Sequence, residues 1–365
     1  MLGLIFLSCF LAVTYARVHH LISIDLRIVS NNSAHSPHAW ITFGKQTKET
    51  IYGASLYSSA IARYTLTTDP DESSRLQLRL TGSAASCDGQ TSAFVLAGQQ
   101  PPFDVYSASW PGPRACGAAF PASARDYDLG GGPRYTWDYD ASSGVQGLAL
   151  GDNGTMLGGG GGGGIEEVGR FRARDGSGPR NLVAHPAGRY LRVIMETSNK
   201  PATYELDRDT REPREEASVF SVIPEGLNRT SYWAAEVALS PSGRYLWAST
   251  RAHEASDVGY LSMFELDTVG AVVSAGQPGW GAGPGEKGPL FMVPTTTWGG
   301  IANGVSPAPW SDGFVAMTDF RTGHVQIWKM TTAKIGGVMD GVGAAAVARV
   351  DIPDGGCCAT VIWYD

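Results

Sequence analysis

The sequence predicts an all-β fold of many small repeated sheets, of the β-propeller kind. Three observations carry this. Gly 47 and Pro 21 in 365 residues suit short strands joined by tight turns. No long segment places apolar residues at helical spacing. The chain also repeats itself: "NLVAHPAGRYLRVIME" begins at Asn181 and "EVALSPSGRYLWASTR" at Glu236, 55 residues later. In each copy an apolar strand runs into a Pro-x-Gly turn, and Tyr-Leu opens the next strand. Weaker copies begin at Trp40 ("WITFGKQTKETIYGAS"), Gly147 ("GLALGDNGTML") and Gly304 ("GVSPAPWSDGFVAMTD"). Strand, turn, strand at intervals of a few tens of residues marks a propeller or another repeated-sheet protein. A two-sheet sandwich would use fewer strands than this length supplies.

From the N-terminus onward, "MLGLIFLSCFLAVTYA" holds an apolar run from Leu2 to Val13, too short to span a bilayer. Its "TYA" ending suits signal peptidase, although a basic n-region is missing. We read residues 1–16 as a leader and 17–365 as one propeller domain; a buried first strand is the other reading. The sequons at Asn31, Asn153 and Asn228 fit a secreted glycoprotein. "HSPH" at His35–His38 has metal-like spacing but no further ligand cluster, so no metal or cofactor is predicted. Cys87 and Cys116 flank the strand-like runs "SAFVLAGQ" and "FDVYSAS" and are expected to pair; adjacent Cys357 and Cys358 could join only through a strained vicinal bond. The net charge of −7 and the absence of a basic run exclude nucleic acid as an expected partner.

Superposing the two strong copies makes Glu196 and Arg251 equivalent, each just past an apolar run, "RVIM" or "WAST". A charge there needs a partner or a use. It is either a salt bridge at a strand end or part of a polar ring in a ligand-binding channel.

The chain resembles the fungal carboxy-cis,cis-muconate cyclases. The matching stretches are, in order, "HHLISI", "IYGAS", "FVLAGQQPPFDVY", "SGVQGLAL", "PRNLVAHPAGRYL", "METSN", "STRA", "GVSPAPWSD" and "VIWYD", from about His19 to Asp365. The resemblance implies a seven-bladed lactonase-type propeller in which the N-terminal strand and "ATVIWYD" close one blade. It implies a cofactor-free reaction that adds a substrate carboxylate across a conjugated double bond to give a lactone. The substrate has three carboxylates, so the site needs cations and a proton donor. By this pattern Arg180 and Arg251 hold carboxylates, Glu196 is the site carboxylate, and Gln146, Asn199 and Asn303 line the substrate.

The chain departs from the pattern at three histidines. The family's G-x-H-G reads "GVQG", with Gln146; Gly178 stands before Pro-Arg; and Ile301 or Ala302 replaces the third. Glutamine cannot deliver a proton at neutral pH. The run Gly158–Gly164, and a stretch between Ile24 and Trp40 that looks short, suggest two abbreviated blades. Two classes follow: a lactonising enzyme whose ligand is a small polycarboxylate or lactone, or a secreted glycoprotein that keeps the propeller as a binding scaffold.

Overall fold

The computed structural model describes residues 2–7, 10–19, 23–45, 49–68, 76–87, 91–109, 115–121, 129, 131–139, 147–150, 156–157, 173–210, 212–216, 220–275, 280, 286–320, 322–335, 338–352 and 359–364. They form an all-β propeller with a single 3₁₀ turn, Arg229–Ser231, among them. They group into two compact units: Met1–Arg17, Leu26–Arg170 and Ala359–Asp365; and Val18–Asp25 with Phe171–Cys358.

The chain opens with β1 (Leu2–Leu7), β2 (Phe10–His19) and β3 (Ser23–Ser33). A four-stranded sheet follows: β4 (His38–Phe43), β5 (Thr50–Ser55), β6 (Ala60–Thr68) and β7 (Leu76–Ala85). The next is β8 (Ser92–Ala97), β9 (Val105–Ser109), β10 (Cys116–Phe120) and β11 (Tyr135–Asp138). Two short strands, β12 (Ala149–Leu150) and β13 (Met156–Leu157), make a two-stranded sheet just before the glycine run, which lies outside the described residues.

The second unit holds three four-stranded sheets. They are β14 (Pro179–Ala184), β15 (Tyr190–Met195), β16 (Lys200–Leu206) and β17 (Pro213–Glu216); β18 (Tyr232–Leu239), β19 (Tyr245–Ala252), β20 (Tyr260–Glu265) and β21 (Phe291–Pro294); and β22 (Val305–Pro307), β23 (Phe314–Asp319), β24 (His324–Ile335) and β25 (Val338–Asp351). The last strand, β26 (Val361–Tyr364), returns to the first unit and pairs antiparallel with β1, completing a sheet of order β26-β1-β2-β3.

This sheet corrects one expectation. The stretch between Ile24 and Trp40 is not short of outer strands, because β3 completes the closing sheet and β4 begins the next. β1 and most of β2 fall within residues 1–16, the stretch that reads either as a leader or as a buried first strand.

The GRYL motif is a hairpin device. Gly188 and Gly243 close their turns at φ 69° and 74°, a backbone region that penalises any Cβ. Their N–H groups donate to the carbonyls of His185 and Ser240, at 2.8 and 2.9 Å. The following arginines cross to the third strand of each sheet. Arg189 donates to Glu205 at 3.0 Å and Arg244 to Glu265 at 2.7 Å. All three weaker copies are also hairpins: β4–β5, β12–β13 and β22–β23.

Apolar side chains alternate off these strands and pack one sheet on the next. Ile194, Val222, Ala234, Val237, Leu246 and Phe264 form one such core; Trp247, Met263, Phe291, Val315, Met317 and Trp328 form another. Cys87 and Cys116 form the expected disulfide, tying the end of β7 to the start of β10.

Candidate functional site

The site is built by a shared irregularity in the first strand of two sheets. In the β14–β15 ladder the register shifts between Pro179 and Asn181, which leaves Arg180 bulged. In β18–β19 the shift falls between Ala234 and Glu236, which leaves Ala235 bulged. These positions are 55 residues apart, in the register of the repeat. A bulge re-aims its side chain out of the pleat. Arg180 reaches across to the equivalent bulge, where its Nη1 donates to the carbonyl of Ala235.

The next residues are also equivalent. The Asn181 side chain accepts the N–H of Val237 at 3.2 Å, and Glu236 Oε2 accepts that of Val305 at 3.0 Å. Each inner strand is thus fastened to the first strand of the following sheet. Glu236 is buried, and burial raises its carboxyl to about 8, against the opposing pull of the Arg180 charge.

Glu196 and Arg251, the equivalent charges of the two copies, meet directly. Arg251 Nη2 donates to Glu196 Oε1, and Arg180 Nε lies 3.4 Å from the same oxygen. Two guanidiniums therefore share one carboxylate, and the cluster carries a net positive charge while Glu236 is protonated. Arg251 is buried, and its Nε has no hydrogen-bond partner among the described residues. Burial and the neighbouring Arg180 charge lower its pKa to about 10, despite Glu196. Such a cluster can take a carboxylate through unused guanidinium donors.

Asn199 and Asn303 approach the cluster as scaffold. Asn199 turns the chain between β15 and β16 at φ 54° and donates from Nδ2 to the carbonyls of Arg229 and Tyr232, both at 3.0 Å. Asn303 Nδ2 donates to the Thr250 carbonyl at 3.0 Å. Both side chains are fully enclosed, and each leaves Oδ1 without a partner among the described residues. Gln146 lies outside the described residues, as do Asn153, Cys357 and Cys358.

The sequence reading missed Glu236, Trp233 and His253. Trp233 lies under Arg251, whose guanidinium carbon is 5.0 Å from the ring centroid, and stacks on His253 at 3.7 Å. The signal for Glu236 was present in the repeat, since a carboxyl stands where the other copy has Asn181. "HSPH" has a structural role instead: His38 Nε2 shares a hydrogen bond with Tyr64 Oη at 2.7 Å, and burial lowers its imidazole to about 4.

Comparisons with known proteins give the family. A model of the family "Lactonase, 7-bladed beta-propeller" matches residues 159–277. The carboxy-cis,cis-muconate cyclase of Neurospora crassa is 30% identical over 354 residues, covering 90% of this chain and 89% of that protein. Muconate cycloisomerase 1 of Cutaneotrichosporon cutaneum is 28% identical over 52% of this chain and 47% of its own length. Among solved structures, the periplasmic gluconolactonase of Pseudomonas aeruginosa shares the fold at a TM-score of 0.71, with 15% identity, covering 100% of this chain and 99% of that one. With the Neurospora relative matched along nearly its whole length, the chain belongs to the carboxy-cis,cis-muconate cyclase family of lactonase-type β-propellers.

Proposed function

We infer that the chain is an intramolecular lyase that closes a conjugated polycarboxylate, of the 3-carboxy-cis,cis-muconate class, into a lactone on a seven-bladed propeller. One observation carries this reading: Arg180, Glu196 and Arg251, distant in sequence, share one ion-paired cluster. The Neurospora relative, named for that reaction, supports the substrate class. Arg180 and Arg251 would hold two substrate carboxylates, and their charge would stabilise the electron density that builds up as the ring closes. Glu196 keeps the two guanidiniums from repelling each other before substrate arrives.

The test is direct. Purified protein mixed with 3-carboxy-cis,cis-muconate should bleach the ultraviolet absorbance of the conjugated diene. Arg180→Ala and Arg251→Ala should not bleach it at a comparable rate.

Export is a separate part of the reading, and it competes with the closing sheet. Cleavage near Ala16 would remove β1, the strand that pairs with β26. N-terminal sequencing of the mature chain decides between them: a start near Arg17 supports a leader, and an intact N-terminus supports the strand. Asn228, exposed at the start of the 3₁₀ turn, is a sequon a glycan could reach.

A further inference from the structure

A lactonising site needs a proton donor, and Gln146 cannot be one. An imidazole nevertheless reaches the cluster from the residue just after β19. Trp233 and Arg251 are cross-strand partners in the β18–β19 ladder, so their side chains share a face. Alternation returns the chain to that face two residues later, at His253. The result is a stack: the Trp233 ring touches the imidazole at a centroid distance of 3.7 Å and a tilt of 41°, with the Arg251 guanidinium 5.0 Å from the same ring. The backbone N–H of His253 donates to the Ser231 carbonyl at 2.9 Å, which fixes the base of the side chain.

The platform separates this histidine from the packed ones. His38 and His185 satisfy Nε2 with Tyr64 Oη and the Gly243 carbonyl. Both ring nitrogens of the fully buried His324 lack a hydrogen-bond partner among the described residues, and so does His253 Nε2. Its platform, Trp233, is one of the few large apolar side chains left open, at 37% exposure. An unpartnered ring nitrogen beside an open aromatic face and the Arg251 guanidinium is arranged for a ligand rather than for packing.

Resting on the reading above, we propose that His253 is the proton-transfer group of this site and that the arriving polycarboxylate charges it. Before binding the imidazole is neutral, because burial and the Arg251 charge hold its pKa below the ordinary value against Glu254 and Glu196. The cluster also holds the Arg180 guanidinium, and Glu236 keeps its proton below about pH 8. A bound tricarboxylate brings negative charge against the ring and shifts the balance toward imidazolium.

The step then balances. A substrate carboxylate oxygen bonds to one carbon of the double bond. The π pair moves to the neighbouring carbon and takes the proton from the imidazolium. The trianion leaves as a dianionic lactone, the imidazole is neutral again, and solvent supplies the next proton.

The experiment is calorimetric titration with propane-1,2,3-tricarboxylate, which cannot cyclise, near pH 7 in two buffers of different ionisation enthalpy. Wild type should take up close to one proton on binding. His253→Gln and His253→Phe should bind within a few-fold and take up none; the Phe variant keeps the stack on Trp233, so packing is separated from titration. With 3-carboxy-cis,cis-muconate both variants should lose kcat by about 10²–10⁴ while KM stays within a few-fold, the range for removing a positioned acid. If wild type binds and both variants take up the same proton, or if His253→Phe keeps its kcat, the assignment of His253 is overturned and the reading of the cluster stands. If wild type binds no tricarboxylate, both fall.

Discussion

The two strong copies of the repeat share a backbone and differ in chemistry. Their hairpins turn at equivalent glycines, their arginines cross to equivalent glutamates, and both carry a bulge one residue before the inward-facing position. The bulge also recurs in β4 and β8, at Ala39 and Ala93. Four strands thus offer the same re-aimed position, and three fill it with alanine. Only in β14 is it an arginine, Arg180. The strand end that holds Glu196 in one copy holds Arg251 in the next, so the repeat brings opposite charges together instead of stacking like ones. The scaffold is a repeated solution to burying apolar faces; the site is written where the copies disagree.

Erasing the disagreement should have the largest effect. Arg251→Ala should lower lactonisation by about 10²–10³, as for loss of one preorganised donor to developing negative charge. Steady-state kinetics should show most of this in kcat/KM. Glu196→Gln leaves two guanidiniums facing each other. It should destabilise by about 1–3 kcal/mol in denaturant unfolding, below the usual 3–5 for a broken buried pair because its side chain keeps 24% exposure.

A control lies outside the paired copies. Reducing the Cys87–Cys116 bond, or Cys87→Ser with Cys116→Ser, frees a loop of 29 residues and should cost about 3–4 kcal/mol by the loop-entropy relation, with kcat unchanged.

The Asn181–Glu236 contrast is tested by pH. The Glu236 carboxyl is raised from 4.5 to about 8, so between these values the folded chain holds a proton that the unfolded chain releases. Its contribution to stability is complete below about pH 4.5 and is lost as pH rises through about 8. Glu236→Gln should flatten that slope in thermal unfolding. The smallest effect belongs to what the copies share. Arg244→Ala, which removes an exposed, solvent-screened bridge to Glu265, should leave thermal unfolding nearly unchanged and activity intact.

The contrast also explains what the sequence disclosed. Strand, turn and repeat were legible because Pro-x-Gly and alternating apolar residues act locally, and the Cys87–Cys116 pairing followed from the strands between them. Glu196 and Arg251 stood out as charges beside apolar runs, whereas Arg180 came only from the resemblance to the cyclases. Glu236 did not, because its neutralisation depends on burial under a later sheet, 69 residues away at Val305. His253 did not either. Its place follows from strand register opposite Trp233, and the histidines the family pattern led one to seek lay elsewhere. The resemblance anticipated closure by the C-terminal strand, but not that its partner is β1, since one apolar stretch reads equally as a leader and as strands β1 and β2.

The central claim is that the charged disagreement between two repeats makes a lactone-forming site. The most direct measurement is the ultraviolet absorbance of 3-carboxy-cis,cis-muconate with folded wild-type protein beside folded Arg180→Ala, Glu196→Gln and Arg251→Ala. The account predicts loss of the diene absorbance with wild type and at least a hundred-fold slower loss with the arginine variants, about the effect of removing one preorganised donor. Absorbance that holds steady with wild type, or falls equally fast in all four, would contradict it.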